Sequence, residues 1–189
     1  MELEHAIATR RSIRRFAPRP VPVQDLRAIA DAGRLAASAG NRQPCRFVAV
    51  TRADLVEQMH QRVEWLAAVG DPPPGTQPAA YFVVIADTSA NASFASDCAA
   101  AAQNMLLAAH GRGIGGCWIG SVNRQAVRKL LVVPAGLEIY AVLALSYPAE
   151  QAIAIESARE ITVERAEDGV VRVPKRALDD VLRFDGWES

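Results

Sequence analysis

Residues 81–86 read YFVVIA, and residues 92–110 read ASFASDCAAAAQNMLLAAH. The first stretch is an unbroken apolar run closed by Asp87, which reads as a strand buried on both faces. The second is apolar nearly all round apart from Asp97, Gln103 and Asn104. A helix of that kind belongs in a core or a subunit interface, not on a wet surface. Outward from this pair, Cys117–Ile119 and Ile139–Leu145 read as further buried strands around a helix over Arg124–Leu131. Towards the N-terminus, Phe47–Val50 reads as a strand between an amphipathic helix over Val23–Ala37 and another over Ala53–Ala68. Residues 2–9 make a short helix, and GDPPPGTQP at 70–78 is a loop. Short buried strands interleaved with helices imply an α+β or α/β sandwich in a single domain, 1–189.

After Pro148 the character changes. Residues 149–175 are charged, with β-like pieces at 161–164 and 170–173, and Leu178–Leu182 forms a last short helix. A tail with so little core of its own is expected to pack on something else, plausibly a second subunit.

Composition excludes several classes. Half of the 189 residues are hydrophobic, 22% are charged and the formal net charge is zero, which argues against a nucleic-acid binder. No segment reaches the roughly 18 apolar residues of a membrane span. The first twenty residues carry acidic side chains and no apolar run, so a secretory signal is not expected and the cytoplasm is. Cys45, Cys98 and Cys117 are odd in number and far apart, and read as reduced packing residues. His5, His60 and His110 lack ligand spacing, so no metal site is expected.

Three stretches carry chemistry. Arg10-Arg11-Ser12-Ile13-Arg14-Arg15-Phe16 packs four guanidinium groups that repel one another unless an anion or acidic side chains hold them. It is either a solvated basic patch or a phosphate clamp. Ser38-Ala39-Gly40-Asn41-Arg42-Gln43-Pro44 ends the amphipathic helix, and is either a helix cap and turn or a donor–acceptor edge for a flat heterocycle. Gly111-Arg112-Gly113-Ile114-Gly115-Gly116 matches G-x-G-x-x-G, but here a helix precedes and a strand follows, the reverse of a dinucleotide site. Those glycines either cap the helix or let backbone approach a ligand. No hydrolase elbow or P-loop is present, so an anion clamp without a catalytic side-chain cluster points to a cofactor that does the chemistry.

Taken together, these pieces resemble the FMN-dependent nitroreductases. That family's signature is similar to R-R-S-x-R-x-F, then a proline, a helix and P-S-x-x-N-x-Q-P-W. RRSIRRF stands here at 10–16 and ASAGNRQPC at 37–45, with Ala37 in place of the proline and Cys45 in place of the tryptophan. GIGGCWIG at 113–120 matches G-[IL]-G-x-x-W-I-G, and Lys175-Arg176 matches a basic pair before the last helix.

The resemblance implies an α+β, nitroreductase-like sandwich whose central, mainly antiparallel sheet is flanked by helices. It also implies an intertwined homodimer with an extended C-terminal tail over 149–189. Tight, non-covalent FMN and NADH or NADPH follow as cofactor and co-substrate, with hydride passing through flavin N5 to an electron-poor acceptor such as a nitroaromatic or quinone. By the resemblance, Arg10 and Ser12, with Lys175 or Arg176, hold the FMN phosphate and ribityl chain, and Arg11 assists. Arg14 lies beside the pyrimidine edge and tunes the flavin. Ser38, Asn41 and Gln43 reach the ring from the partner subunit, and Gly115 and Gly116 offer backbone near it. Another reaction on the same fold (reductive dehalogenation, flavin fragmentation or substrate dehydrogenation) and a non-enzymatic polyanion-binding module are the alternatives.

Overall fold

A computed structural model describes residues 1–157 and 159–187. Six α-helices are arranged along the chain: α1 (Leu3–Thr9), α2 (Val23–Arg34), α3 (Ala53–His60), α4 (Ala95–Gly111), α5 (Arg124–Leu131) and α6 (Leu178–Val181). Strands β1 (Cys45–Val50), β2 (Ala80–Asp87), β3 (Gly115–Ile119) and β4 (Leu137–Ser146) form one sheet in the order β1-β2-β4-β3. Every pairing in it is antiparallel. A second sheet, β5 (Ala152–Glu156), β6 (Glu164–Arg165) and β7 (Val171–Lys175), has β7 in the middle, parallel to β5 and antiparallel to β6.

The apolar run at 81–86 works as the sandwich demands. Successive side chains of a strand point to opposite faces. Tyr81, Val83 and Ile85 enter one core layer, with Met59 of α3 and Val127 of α5. Phe82, Val84 and Ala86 enter the other, with Leu26 and Ile29 of α2 and Ala102, Met105 and Leu106 of α4. The expected α+β sandwich with an antiparallel sheet is therefore present. Among the described residues, no helix is long and apolar enough to cross a membrane.

Some elements differ from the sequence reading. The helix expected over Ala53–Ala68 stops at His60. Val63 instead bridges Val122, Glu64 N–H donates to the Ser121 carbonyl (2.9 Å), and Asn123 N–H donates to Arg62 (2.9 Å). A non-local pairing has claimed a segment whose apolar spacing suggested a longer helix, and Leu66 is left 44% exposed. Strand β5 was not expected; its burial has no clean alternation to read. All three cysteines are free, as expected, and Cys45 and Cys98 also meet, their Sγ atoms 3.5 Å apart. Cys117 does behave as expected, buried in the core.

Candidate functional site

The arginine stretch leaves α1 in extended conformation and is laced to three separate parts of the fold. Ser12 bridges Gly116 in parallel, and Ile13 N–H donates to the Gly116 carbonyl (3.0 Å), so the stretch lies along β3. Phe16 N–H donates to Thr76 (2.9 Å) in the proline-rich loop. Ala17 N–H reaches the Tyr147 carbonyl (2.8 Å), while Ala149 N–H returns to Arg15 (2.9 Å). Ile13 and Phe16 drop into the core, and Arg10, Arg11, Arg14 and Arg15 remain half-buried. The stretch is therefore an ordered, half-buried segment and not a freely solvated run.

Sequence reasoning missed the residue that secures this lacing. Glu150, its side chain 2% exposed, accepts from the backbone N–H groups of both Arg14 and Arg15 and pairs with Arg165 at 2.7 Å. Four arginines called for an acid, but nothing local singles out one among 21 acidic residues. Glu150 spends its lone pairs on backbone and on Arg165. Among the described residues, none of the four clustered guanidinium groups forms an ion pair. Burial lowers the pKa of Arg10, and the neighbouring charge of Arg11 adds to the effect. Arg11 folds back to donate to the Ala8 carbonyl (2.8 Å) at the end of α1, and burial lowers its pKa too. The Nε atoms of Arg11 and Arg15 are buried without a partner. Desolvated cations without a counter-ion are costly, and an arriving dianion relieves that cost.

Arg14 lines a cavity of about 310 Å³ with Glu64, Trp65 and residues 117–121. Trp65 carries a buried indole N–H with no partner. Glu64 and Trp65 reach this wall only because the chain abandons α3 early, which is why the sequence did not mark them. Gly115 and Gly116 have a packing reason to lack side chains. A Cβ on Gly115 would sit 3.0 Å from Ile13, and one on Gly116 would sit 2.5 Å from Leu106. The pair lets the arginine stretch approach β3 at Gly115 and α4 approach it at Gly116.

Ser38, Asn41 and Gln43 gather elsewhere. Gln43 N–H donates to Ser38 Oγ (3.0 Å), and Gln43 Nε2 donates to the Asn41 carbonyl (3.3 Å). The loop is anchored to α4 by Asp97, whose carboxylate accepts from Ala39 N–H (3.0 Å) and Asn91 Nδ2 (2.8 Å). Gly40, Asn41 and Gln43 all have positive φ, at 56°, 55° and 48°. For the two non-glycine residues that costs about 1–2 kcal/mol each, a strain found where geometry serves a ligand. Ser38 and Gln43 line a cleft of about 700 Å³ with Cys45, Phe47 and Asp97, which shares no residue with the Arg14 cavity. Within this chain, the loop and Arg14 therefore face different spaces. Lys175 and Arg176 are exposed at the end of β7, and among the described residues no hydrogen bond or ion pair joins them to the arginines. The tail meets the cluster through Arg165 and Glu150 instead.

The model of the nitroreductase family matches residues 7–147, which include the arginine stretch, the strained loop and all four strands of the main sheet. The chain belongs to the nitroreductase family. A provisionally named NADH dehydrogenase/NAD(P)H nitroreductase of Archaeoglobus fulgidus is 35% identical over 153 residues, covering 77% of this chain and 84% of that protein. The crystal structure of a protein of the same provisional name from Parabacteroides distasonis superposes with a TM-score of 0.73 at 25% identity, over 98% of each chain. A nitroreductase-like protein of Desulfovibrio desulfuricans, solved in complex with FMN, superposes with a TM-score of 0.65 at 30% identity. It is covered to 88%, and this chain to 79%. This nitroreductase-family chain is accordingly an oxidoreductase with the fold of its relatives.

Proposed function

We propose that this protein is a homodimeric, cytoplasmic FMN-dependent NAD(P)H oxidoreductase. The observation that carries the reading is the ordered set of four half-buried guanidinium groups that have no counter-ion among the described residues, two of them with Nε atoms that find no partner there. That donor set fits a phosphate dianion, because guanidinium forks match phosphate oxygens bidentately. Bound FMN supplies two-electron chemistry, accepting reducing equivalents from NADH or NADPH and passing them to an electron-poor acceptor such as a nitroaromatic or quinone.

The protein's part is to bind, orient and exclude water. Arg10 and Ser12 take the phosphate and ribityl chain, and Arg11 supports them from the end of α1. Lys175 or Arg176 joins them once the tail is seated. Arg14, backed by Glu150 through its own N–H, presents a cation to the pyrimidine edge, where reduction builds negative charge. The backbone at Gly115 and Gly116 runs beside the ring. Ser38, Asn41 and Gln43 come from the partner subunit, a reading supported by the separate spaces that Ser38 and Gln43 on one hand and Arg14 on the other face in one protomer. The tail's exposed Leu178, Val181, Phe184 and Trp187 supply an apolar surface for that second copy.

The test is the visible absorption spectrum of full-length protein incubated with excess FMN and then desalted. A retained flavin band that bleaches on adding NADH or NADPH, and returns with a quinone, is the expected result. Colourless protein after desalting would sink the proposal.

A further inference from the structure

Two thiols that the flavin reading does not use meet beside the larger cleft. Cys45 opens β1 immediately after the strained loop, and Cys98 lies in the first turn of α4. They are 53 residues apart in sequence, yet their Sγ atoms approach to 3.5 Å. A disulfide needs a separation of about 2.05 Å, so a closure of roughly 1.5 Å would join them. The two differ in access. Cys45 is half-buried and lines the cleft, whereas Cys98 is fully buried behind it.

The surroundings divide the labour the same way. The hydrogen bond with Cys98 holds the Cys45 thiol below its ordinary pKa; Arg46 works in the same direction, and burial and Asp97 work against it. That same bond, together with burial, pushes Cys98 up. A reachable thiol that ionises readily, backed by a buried thiol at contact distance, is the arrangement of an attacking and a resolving cysteine.

We propose that Cys45 and Cys98 form a peroxide-oxidised dithiol–disulfide pair that ties the Ser38–Gln43 loop to α4. The Cys45 thiolate attacks a peroxide oxygen: the S–O bond forms, the O–O bond breaks, and the leaving oxygen departs as water or an alcohol after taking a proton. Cys98, losing its proton, then attacks the Cys45 sulfur. The S–S bond forms, the S–O bond breaks and water leaves. Two thiols are oxidised and one peroxide is reduced. Exchange with a small dithiol restores the starting state. Asp97 already fastens the loop to α4 through Ala39, and the new bond adds a covalent fastening one residue further along the helix.

Full-length protein, carrying whatever flavin it retains, is treated with one equivalent of hydrogen peroxide, unfolded in N-ethylmaleimide and mapped by mass spectrometry. The expected result is a fall from three alkylated cysteines to one, Cys117, with an intrachain Cys45–Cys98 peptide that dithiothreitol reverses. In Cys98→Ser, Cys45 is captured as a dimedone adduct; in Cys45→Ser, Cys98 stays alkylatable. The proposal is overturned if Cys45 and Cys98 both remain alkylatable, if Cys45 proceeds to sulfinic acid with Cys98 free, or if the disulfide joins two chains. The wild-type map decides alone should either variant fail to fold. Flavin content is read separately by absorbance, so a failure of the FMN assignment and a failure of the thiol pair are distinguishable.

Discussion

Strands β2 and β7 hold the same formal place, each at the centre of its sheet, and live in opposite surroundings. Every residue of β2 from Ala80 to Ala86 is buried, whereas in β7 only Val171 is. Pairing does not explain the contrast, since both strands are hydrogen-bonded on two sides. Cover does. Helices α2 and α4 lie over one face of β2, and α3 and α5 over the other. The tail sheet has no comparable layers: Val171 is the one buried residue among the described residues of 149–187. Central position gives a strand its hydrogen bonds, but a core needs a layer on each side. The body can therefore hold its shape by burial, while the tail depends on the Glu150–Arg165 pair and, on the proposed reading, on a second subunit.

The contrast can be broken or sharpened by substitution. Phe82→Ala should cost about 3–5 kcal/mol, since it opens a cavity in a layer closed on all sides; equilibrium urea unfolding measures it, and a loss below about 1 kcal/mol would erase the distinction. Glu150→Ala comes next, at roughly 3 kcal/mol, because it strands Arg165 and two backbone N–H groups. Arg165→Ala should be clearly destabilising too, and the double variant should cost less than the sum; strict additivity would mean that Glu150 and Arg165 do not act as a unit in holding the tail. Arg10→Ala removes a charge that has no ion-pair partner among the described residues. Its unfolding free energy should move by no more than about 0.5 kcal/mol, while FMN affinity, read by fluorescence titration, falls roughly 10–100-fold. Smallest of all for the isolated chain is Trp187→Ser, within about 0.5 kcal/mol. Its effect should appear in sedimentation instead, as a dimer that dissociates at higher protein concentration than wild type.

Legibility in the sequence followed the same division. The β2 run, the alanine-rich α4 and the helix–glycine–strand order were readable because each signal lies within a few consecutive residues. The arginine stretch was readable as a basic cluster, a solvated patch or a phosphate clamp, although not how it is held: its partners Thr76, Gly116, Tyr147 and Glu150 are far away along the chain. The early end of α3 escaped for that reason, since Val63 answers to Val122 and not to its own helical period. The meeting of Cys45 and Cys98 escaped because separation in sequence says nothing about two residues on packed elements. Lys175 and Arg176 were legible as a basic pair, while the contact that ties the tail to the cluster runs through Glu150, which Arg165 holds in place.

The lacing of the arginine stretch also bears on the order in which the molecule assembles. Arg10 to Phe16 leave the ribosome early, yet the bond from Arg14 N–H to Glu150 spans 136 residues. Contacts of such long range form late, because the loop they close must first be drawn together. Until β3 and the end of β4 are in place, the stretch has neither a strand to lie along nor an acid to hold it. The stretch is thus made before the elements that hold it and is among the last to be finished, so an ordered arginine stretch marks a body whose folding is complete.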